Sequence, residues 1–390
     1  MKEAIVLARL LLDAGLLGYL AYACLTVVAA WQWRHSAIPP NQPLALGISV
    51  LKPVCGVDPY AEENFRSFIE QDYPLDRFQV LFTAFDPDDP ALAVAVDLKK
   101  RYPHHNIQVV FSSSNKPEGN NRKVANLLAL LPFAEHELLV IADSDMRVGP
   151  DYLRAISAHF LTANSQQSVG LVTCPYRGAL AHSFAAQLEA LGIGADFIPS
   201  ALVSRMLEGV GFAFGSTIAI PKTVLERIGG LQPLLNEIAD DFLLGQKVRQ
   251  AGYKVVIANY MVDDVLGAIA FKEMWSRRLR WARTVRACRP MGYAGSLITH
   301  GFALSLLWAL IQPSLREIAV IVPSVLLVRL LTVFMVSFLT DDPAPRKRWY
   351  LLPVSDLISF AIYVTSWCGN RVQWRGERFR LQAGGKLERI

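Results

Sequence analysis

Asp143-Ser144-Asp145 directly follows the apolar run Leu138-Leu139-Val140-Ile141-Ala142. A strand ending there would present two carboxylates at the edge of a sheet. Carboxylates so placed suit a divalent cation such as Mg²⁺ or Mn²⁺, which takes oxygen ligands and would bridge one or both of them to a substrate diphosphate. The same residues also fit an Asp-rich turn before a helix that starts near Pro150, and taken alone the motif favours neither reading. Asp86, in Phe85-Asp86-Pro87-Asp88-Asp89-Pro90, again follows an apolar run. It could contact the uracil or ribose of a nucleotide, while a turn with a helix N-cap at Asp88 or Asp89 is the plainer alternative. Lys123, in Gly119-Asn120-Asn121-Arg122-Lys123, stands at a loop-to-helix transition. It could meet phosphate charge with the help of the helix terminus, or be an ordinary solvated lysine.

Asp240-Asp241 opens a helical pattern, Phe242 to Val248. A carboxylate at that point could accept a proton from an acceptor hydroxyl, although acids also gather at helix N-termini for electrostatic reasons alone. Arg277 and Arg280 fall on one face of another helical pattern at i, i+3, with Trp281 beside them. Two fixed guanidiniums suit a diphosphate leaving group, and the indole can wall a sugar or lipid site. Arg283, Arg286 and Arg289 continue the basic character, which is also that of an amphipathic helix on a membrane surface.

Positioning these residues requires a layered α/β domain. From Gly47 to about Asn259, strand-type runs at 48–51, 80–82, 107–111 and 138–142 alternate with helical patterns at 61–70, 91–101 and 122–131. The alternation predicts a mainly parallel, three-layer sheet whose ligands bind at the carboxyl ends of its strands, where the acidic motifs fall. The flanks differ in texture. An apolar stretch from about Ala4 to Trp31 ends in Trp31, Trp33, Arg34 and His35, an aromatic and basic edge expected at a membrane interface. After Pro290 come apolar stretches at 298–311, 318–339 and 351–368. The expected organisation is an anchor over 1–34, a catalytic domain over 35–296, membrane helices over 297–370 and a basic tail over 371–390. Arg346-Lys347-Arg348 and the tail arginines favour the cytoplasm, so one of the later apolar segments is expected not to cross.

Of the 390 residues, 52% are hydrophobic and only 19% charged, which puts part of the chain in lipid. The net charge of +5 is mild, and no basic run or aromatic-basic repeat suggests a nucleic acid partner. Five scattered cysteines form no metal-binding spacing and fit a reducing compartment.

In this order and context the motifs resemble the ceramide glucosyltransferase family, a membrane branch of the family 2-like glycosyltransferases with the GT-A fold. The resemblance rests on Asp86–Ala91, Lys123 and Asn126, Ala142–Ser144, Ala239–Asp241, Arg277-x-x-Arg280-Trp281 and the tail Trp374–Leu381. Eukaryotic members commonly have glycine where this chain has Asp145, and Glu-Asp where it has Asp240-Asp241. Both departures are closer to bacterial members, including hopanoid-associated enzymes.

The resemblance implies inverting transfer of glucose or N-acetylglucosamine from a UDP-sugar to a hydroxyl of a membrane lipid, ceramide or hopanoid. In that scheme Asp241 is the base, and Asp145 with Asp143 holds Mg²⁺ or Mn²⁺. Asp86, Lys123 and Asp143 bind the nucleotide-sugar, Arg277 and Arg280 stabilise the diphosphate, and Trp281 shapes the acceptor side. The apolar stretch Leu188–Phe214 would form a lipid entrance or ordinary core. The implied setting is a bacterial inner membrane with the catalytic domain facing the cytoplasm. A processive polysaccharide synthase and an inactive scaffold of the same fold are the rival readings.

Overall fold

The apolar runs become neighbouring strands: β1 (Ile48–Val54), β2 (Phe78–Ala84), β3 (Asn106–Val109) and β4 (Leu138–Ile141) lie parallel, in the order β3-β2-β1-β4. Every residue of β1, β2 and β4 is buried, which is why these strands read as continuous apolar runs and not as alternation. The computed structural model describes residues 2–36, 46–111, 119–161, 168–312 and 314–390. Further along the chain come β5 (Met146–Arg147), β6 (Val169–Thr173), β7 (Tyr176–Ala179), β8 (Ile218–Pro221), β9 (Lys254–Ile257) and β10 (Val262–Val265). The main sheet continues from β4 through β8 and β6 to β9, with β8 antiparallel to both its neighbours. A smaller sheet, in the order β5-β10-β7, carries the continuation of the β4 edge.

Helices α1 (Lys2–Arg34), α2 (Ala61–Ile69), α3 (Pro90–Arg101), α4 (Arg122–Leu130), α5 (Tyr152–Leu161), α6 (Phe184–Gly192), α7 (Ile198–Glu208), α8 (Lys222–Arg227) and α9 (Asp240–Gln250) intervene. Successive strand residues face opposite ways. Val50, Val80, Phe82 and Val140 pack on Phe65 and Phe68 of α2, Leu92 and Leu98 of α3 and Ile156 of α5. Leu51, Leu81, Leu139 and Ile141 pack on Val124 and Leu127 of α4, Leu225 of α8 and Leu244 and Val248 of α9. This is the three-layer α/β/α arrangement that the sequence predicts.

The remaining helices are α10 (Phe271–Cys288), α11 (Pro290–Gly295), α12 (Gly301–Ile311), α13 (Leu315–Leu339), α14 (Pro343–Lys347) and α15 (Leu352–Ser366). Among the described residues, Glu3–Arg34, Phe184–Glu208, Leu315–Leu339 and Trp349–Ser366 are long and apolar enough to cross a membrane. Pro290–Thr299 and Gly301–Ile311 form a further apolar pair, bent by 68°. The charged residues that interrupt α1 are used: Asp13 accepts a 2.8 Å hydrogen bond from Trp308 Nε1, and Arg9 lies 3.5 Å from Glu317. Gly301 presses so closely on the Tyr19 ring that a Cβ there would overlap it. At its other end α1 enters the domain, where the buried Trp33 donates from Nε1 to Ala258 O at 3.0 Å.

Phe184–Glu208 runs as α6, a π-helical turn at Ile193–Phe197, and α7. The turn presents Asp196 to Arg329 of α13, which also grips Asp356 of α15 through Nε and Nη2 (2.8–3.2 Å) and donates to Ala195 O at 3.0 Å. Asp196 accepts from Ser359 at 2.7 Å, and Ser359 accepts from Arg278 of α10 at 2.7 Å. Buried charges among apolar helices persist only when satisfied in this way.

The stretch expected as a basic tail is folded. β11 (Arg371–Trp374), β12 (Glu377–Leu381) and β13 (Leu387–Arg389) form an antiparallel sheet. Its apolar face, Val372, Phe379, Leu381 and Leu387, packs on Ile238 and Ala239 just before α9.

Candidate active site

The start of α4 is tied to the start of α9 by one side chain. Asn121 caps α4 by accepting from Val124 N at 3.1 Å, and its Nδ2 donates to Glu237 O at 2.8 Å and to Asp240 Oδ1 at 3.4 Å. Lys123, in the first turn, is thereby set 2.6 Å from Asp143 Oδ1 and 3.6 Å from Asp240 Oδ2. Gly215 fills the space between the acids. Its N–H donates to Asp241 Oδ2 at 3.0 Å, and its carbonyl accepts from Asp143 N at 3.3 Å. A Cβ on Gly215 would lie 2.6 Å from Asp143 Oδ2 and 3.1 Å from Lys123 Nζ, so a side chain there would push the Lys123–Asp143 pair aside. Asp241 Oδ1 also accepts from Phe242 N at 2.7 Å, fixing the carboxylate at the N-terminus of α9.

Crowded acids repel one another's charge. Burial, with Asp240 beside it, pushes the Asp241 carboxyl up to about 6, against the pull of Lys123. Asp145 also rises to about 6, through burial and the charges of Asp143 and Asp58, with Arg277 and Arg375 acting the other way. Asp264, on β10 opposite Met146, is pushed well up by burial and by Asp145. Lys123 goes against its burial: Asp143, Asp240 and Asp241 hold it above the ordinary lysine value. Lys52, on β1, is fully buried and is lowered to about 7 by that burial. Its ammonium donates to Asp143 O at 2.5 Å and lies 3.9 Å from the centre of the Phe68 ring.

Among the described residues, the buried Oδ1 atoms of Asp145 and Asp264 have no hydrogen-bond partner. Among the described residues no three His, Cys, Asp or Glu side chains converge as a complete cation cage. Unsatisfied carboxylate oxygens without a full cage fit a hard cation that takes its remaining ligands from a substrate or water.

Along α10 the arginines diverge. Arg278 points toward the apolar helices, 3.9 Å from Glu189 and 3.8 Å from Asp196. Arg277 and Arg280 turn toward the acids. Burial alone would lower Arg277, but Asp264, Glu189 and Asp145 raise it. Arg280 is brought down to about 10 by burial and by the neighbouring Arg277 and Arg375, and stands over the Trp374 ring at 5.9 Å. Trp281 stacks on Phe197 with centroids 6.5 Å apart, and Phe197 continues to Tyr176 and Phe214. Arg283 and Arg286, which also fit a membrane-facing helix, instead donate to the carbonyls of Arg371, Cys368 and Gly369 that lead into the C-terminal sheet.

Lys123, Asp143 and Asp241 thus gather around Gly215, with Asp145, Arg277 and Arg280 alongside. Asp86 stands apart on an exposed turn, where its Oδ1 accepts from Asp88 N at 3.0 Å. The N-cap of α3 falls to Asp89, which accepts from Ala91 N at 2.9 Å and from Gly56 N at 2.8 Å. Sequence reasoning passed over Lys52, Gly215 and Asp264. A charged residue inside an otherwise apolar strand was the available signal for Lys52.

Sheet order, acid-bearing strand ends and flanking helices are those of the GT-A glycosyltransferases. The backbone superposes on a mannosyltransferase of Pyrobaculum calidifontis, in complex with GDP-Man and Mn²⁺, with a TM-score of 0.54 at 17% identity, covering 92% of this chain and 99% of that one. The chain belongs to glycosyl transferase family 21, whose sequence profile matches residues 14–387. It is 25% identical to Ceramide glucosyltransferase 1 of Caenorhabditis elegans over 66% of this chain and 53% of the relative. It is 21% identical to Ceramide glucosyltransferase 3 of the same organism over 87% of this chain and 74% of the relative. The match spans about half the length of the first relative.

Proposed function

We propose that this protein transfers a sugar, glucose or N-acetylglucosamine, from a UDP-sugar to a hydroxyl of a membrane lipid, ceramide or a hopanoid, with inversion. The observation that carries this reading is the meeting of Lys123, Asp143 and Asp241 around Gly215. In the proposed reading Lys123 serves as a cation for phosphate, Asp143 as a carboxylate for the nucleotide-sugar and Asp241 as the base.

Asp241 takes the proton from the acceptor hydroxyl as its oxygen bonds to the anomeric carbon. The bond from that carbon to the diphosphate breaks, UDP leaves, and Asp241 later returns the proton to solvent. A carboxylate with a raised pKa is a stronger base than an exposed one, and two backbone N–H groups fix its direction. Mg²⁺ or Mn²⁺, held by Asp145 and Asp143, would supply charge neutralisation for the diphosphate. Lys123, Arg277 and Arg280 add positive charge where the leaving group's charge develops. Asp86 serves the nucleoside end, and Trp281 with Phe197 walls the acceptor side. The apolar stretch ending near Phe214 leads lipid toward the site from a cytoplasmic leaflet, with the anchor and later helices in a bacterial inner membrane.

Membranes holding the protein, incubated with labelled UDP-glucose and UDP-N-acetylglucosamine, should yield a lipid bearing one sugar by mass spectrometry. Asp241→Asn should lower that yield by about 10²–10⁴-fold. A polymeric product, or an undiminished Asp241→Asn enzyme, would overturn the reading.

A further inference from the structure

The C-terminal sheet is attached at both ends to the candidate site. At its base, Ile238 N donates to Gly385 O at 3.1 Å, Leu387 N donates to Asn236 O at 2.7 Å, and Asn120 Nδ2 donates to Leu387 O at 3.1 Å. These contacts fall on the segments that lead into α4 and α9, the helices that carry Lys123 and Asp241. At its tip, β11 and β12 are joined by Arg375-Gly376, closed by the Trp374 and Glu377 pair. Both turn residues have positive φ, 49° at Arg375 and 82° at Gly376, a two-residue turn that usually has Asn or Gly first. A side chain bearing Cβ is kept at the less favourable position, and its guanidinium is carried to Cys55 O, 3.1 Å away.

That guanidinium faces charges of both signs. Its charge acts on Arg280 and opposes the upward shift of Asp145 caused by burial and Asp143. Trp374, the preceding residue, lies under Arg280. Among the described residues, Arg277, Arg280 and Arg375 have no ion-pair partner within 4.0 Å, whereas the neighbouring Arg278 has two. These three guanidiniums, none of them held in a close ion pair, lie beside carboxylates suited to a cation, and together they suit a polyanion such as a diphosphate. Two other arginines of the sheet are engaged elsewhere: Arg380 with Glu388 at 3.7 Å and Arg389 with Glu377 at 3.0 Å.

We infer that Arg375 is a third diphosphate-binding arginine of the donor site, so that the C-terminal hairpin is a cap over the nucleotide-sugar and not a membrane-surface tail. This rests on the donor reading above and extends it to a residue outside the three-aspartate and arginine-tryptophan motifs. Before donor arrives the hairpin tip is held by the backbone of Cys55. With donor present, Arg375 lies against the diphosphate and shares its charge with Arg277 and Arg280.

The test uses the full-length protein in nanodiscs and calorimetric titration with UDP in the presence of Mg²⁺, and with uridine, which lacks phosphate. Arg375→Ala should weaken UDP binding about 10- to 100-fold and leave uridine binding unchanged. Arg375→Lys should recover part of the loss. Arg378→Ala, an equal charge change on the exposed side of the same hairpin, should bind UDP as the wild type does. Arg375→Gln keeps a donor for Cys55 O without the charge, and carries the comparison if the alanine variant does not fold. Unchanged UDP affinity in Arg375→Ala, or in Arg375→Gln, overturns the assignment, as does an equal loss for UDP and uridine. A wild-type protein that binds no UDP defeats the donor reading itself, and shows this before any variant is made.

Discussion

Asp240 and Asp241 are adjacent acids with unequal surroundings. Asp240 lies 3.6 Å from Lys123 and is bonded by Asn121, whereas Asp241 receives two backbone N–H groups and has its carboxyl pushed up to about 6. If Asp241 must be ionised to accept a proton, kcat/KM should fall below about pH 6 with unit slope. Asp240→Asn removes a like charge, favours the ionised Asp241 and should move that acid limb to lower pH. A limb that stays in place would exclude Asp241 as the titrating base. The candidate acids were legible because each sits where an apolar run ends or a helical pattern begins. Gly215 was not: the ends of the Asp143 and Lys123 side chains meet beside its Cα, a contact that no local spacing encodes. Asp264 reads as an ordinary strand acid until β10 is paired with β5.

At the scale of elements, the π-helical turn Ile193–Phe197 does two things with consecutive residues. Asp196 reaches Arg329 and, through Ser359, Arg278, while Phe197 stacks on Trp281. The charge network among the apolar helices therefore sets the aromatic wall beside the candidate acceptor side. Asp356→Ala leaves Arg329 with one carboxylate fewer and should destabilise the protein by about 3–5 kcal/mol. Arg329→Met combined with Asp356→Leu should recover most of that loss, read as thermal unfolding in detergent. A double variant no more stable than the single one would deny that the pair acts as a unit. Strand and helix positions were readable from hydrophobic period, to within a few residues for α2, α3 and α4. The π turn and the reversed direction of β8 were not, because period carries neither an extra backbone residue nor the sense of strand pairing.

For the whole molecule, if the apolar helices cross a membrane, the hydrogen bonds between the C-terminal sheet and the loops before α4 and α9 require both to lie on one side of it. An even number of crossings must then separate them, so the bent pair α11–α12, α13 and α15 cannot each span. Cysteines placed at the exposed Lys100 and Glu388, in a background without the exposed native thiols, should react with an impermeant maleimide from the same face of sealed vesicles. Labelling from opposite faces would refute the shared side. Composition revealed the apolar segments, but their pairing was hidden, since Asp13 looks like an interruption until it meets Trp308. The same holds for the far end of α1. Trp33 is buried against Ala258, and Asn259 Nδ2 donates to the carbonyls of Trp33 and Arg34 at 2.8 and 2.6 Å. What resembles a tether is thus also a wall of the α/β domain: a shortened chain without it would expose the apolar pocket that Trp33 fills, and grafting another protein's anchor in its place would meet Gly301 without the Tyr19 ring shaped to it.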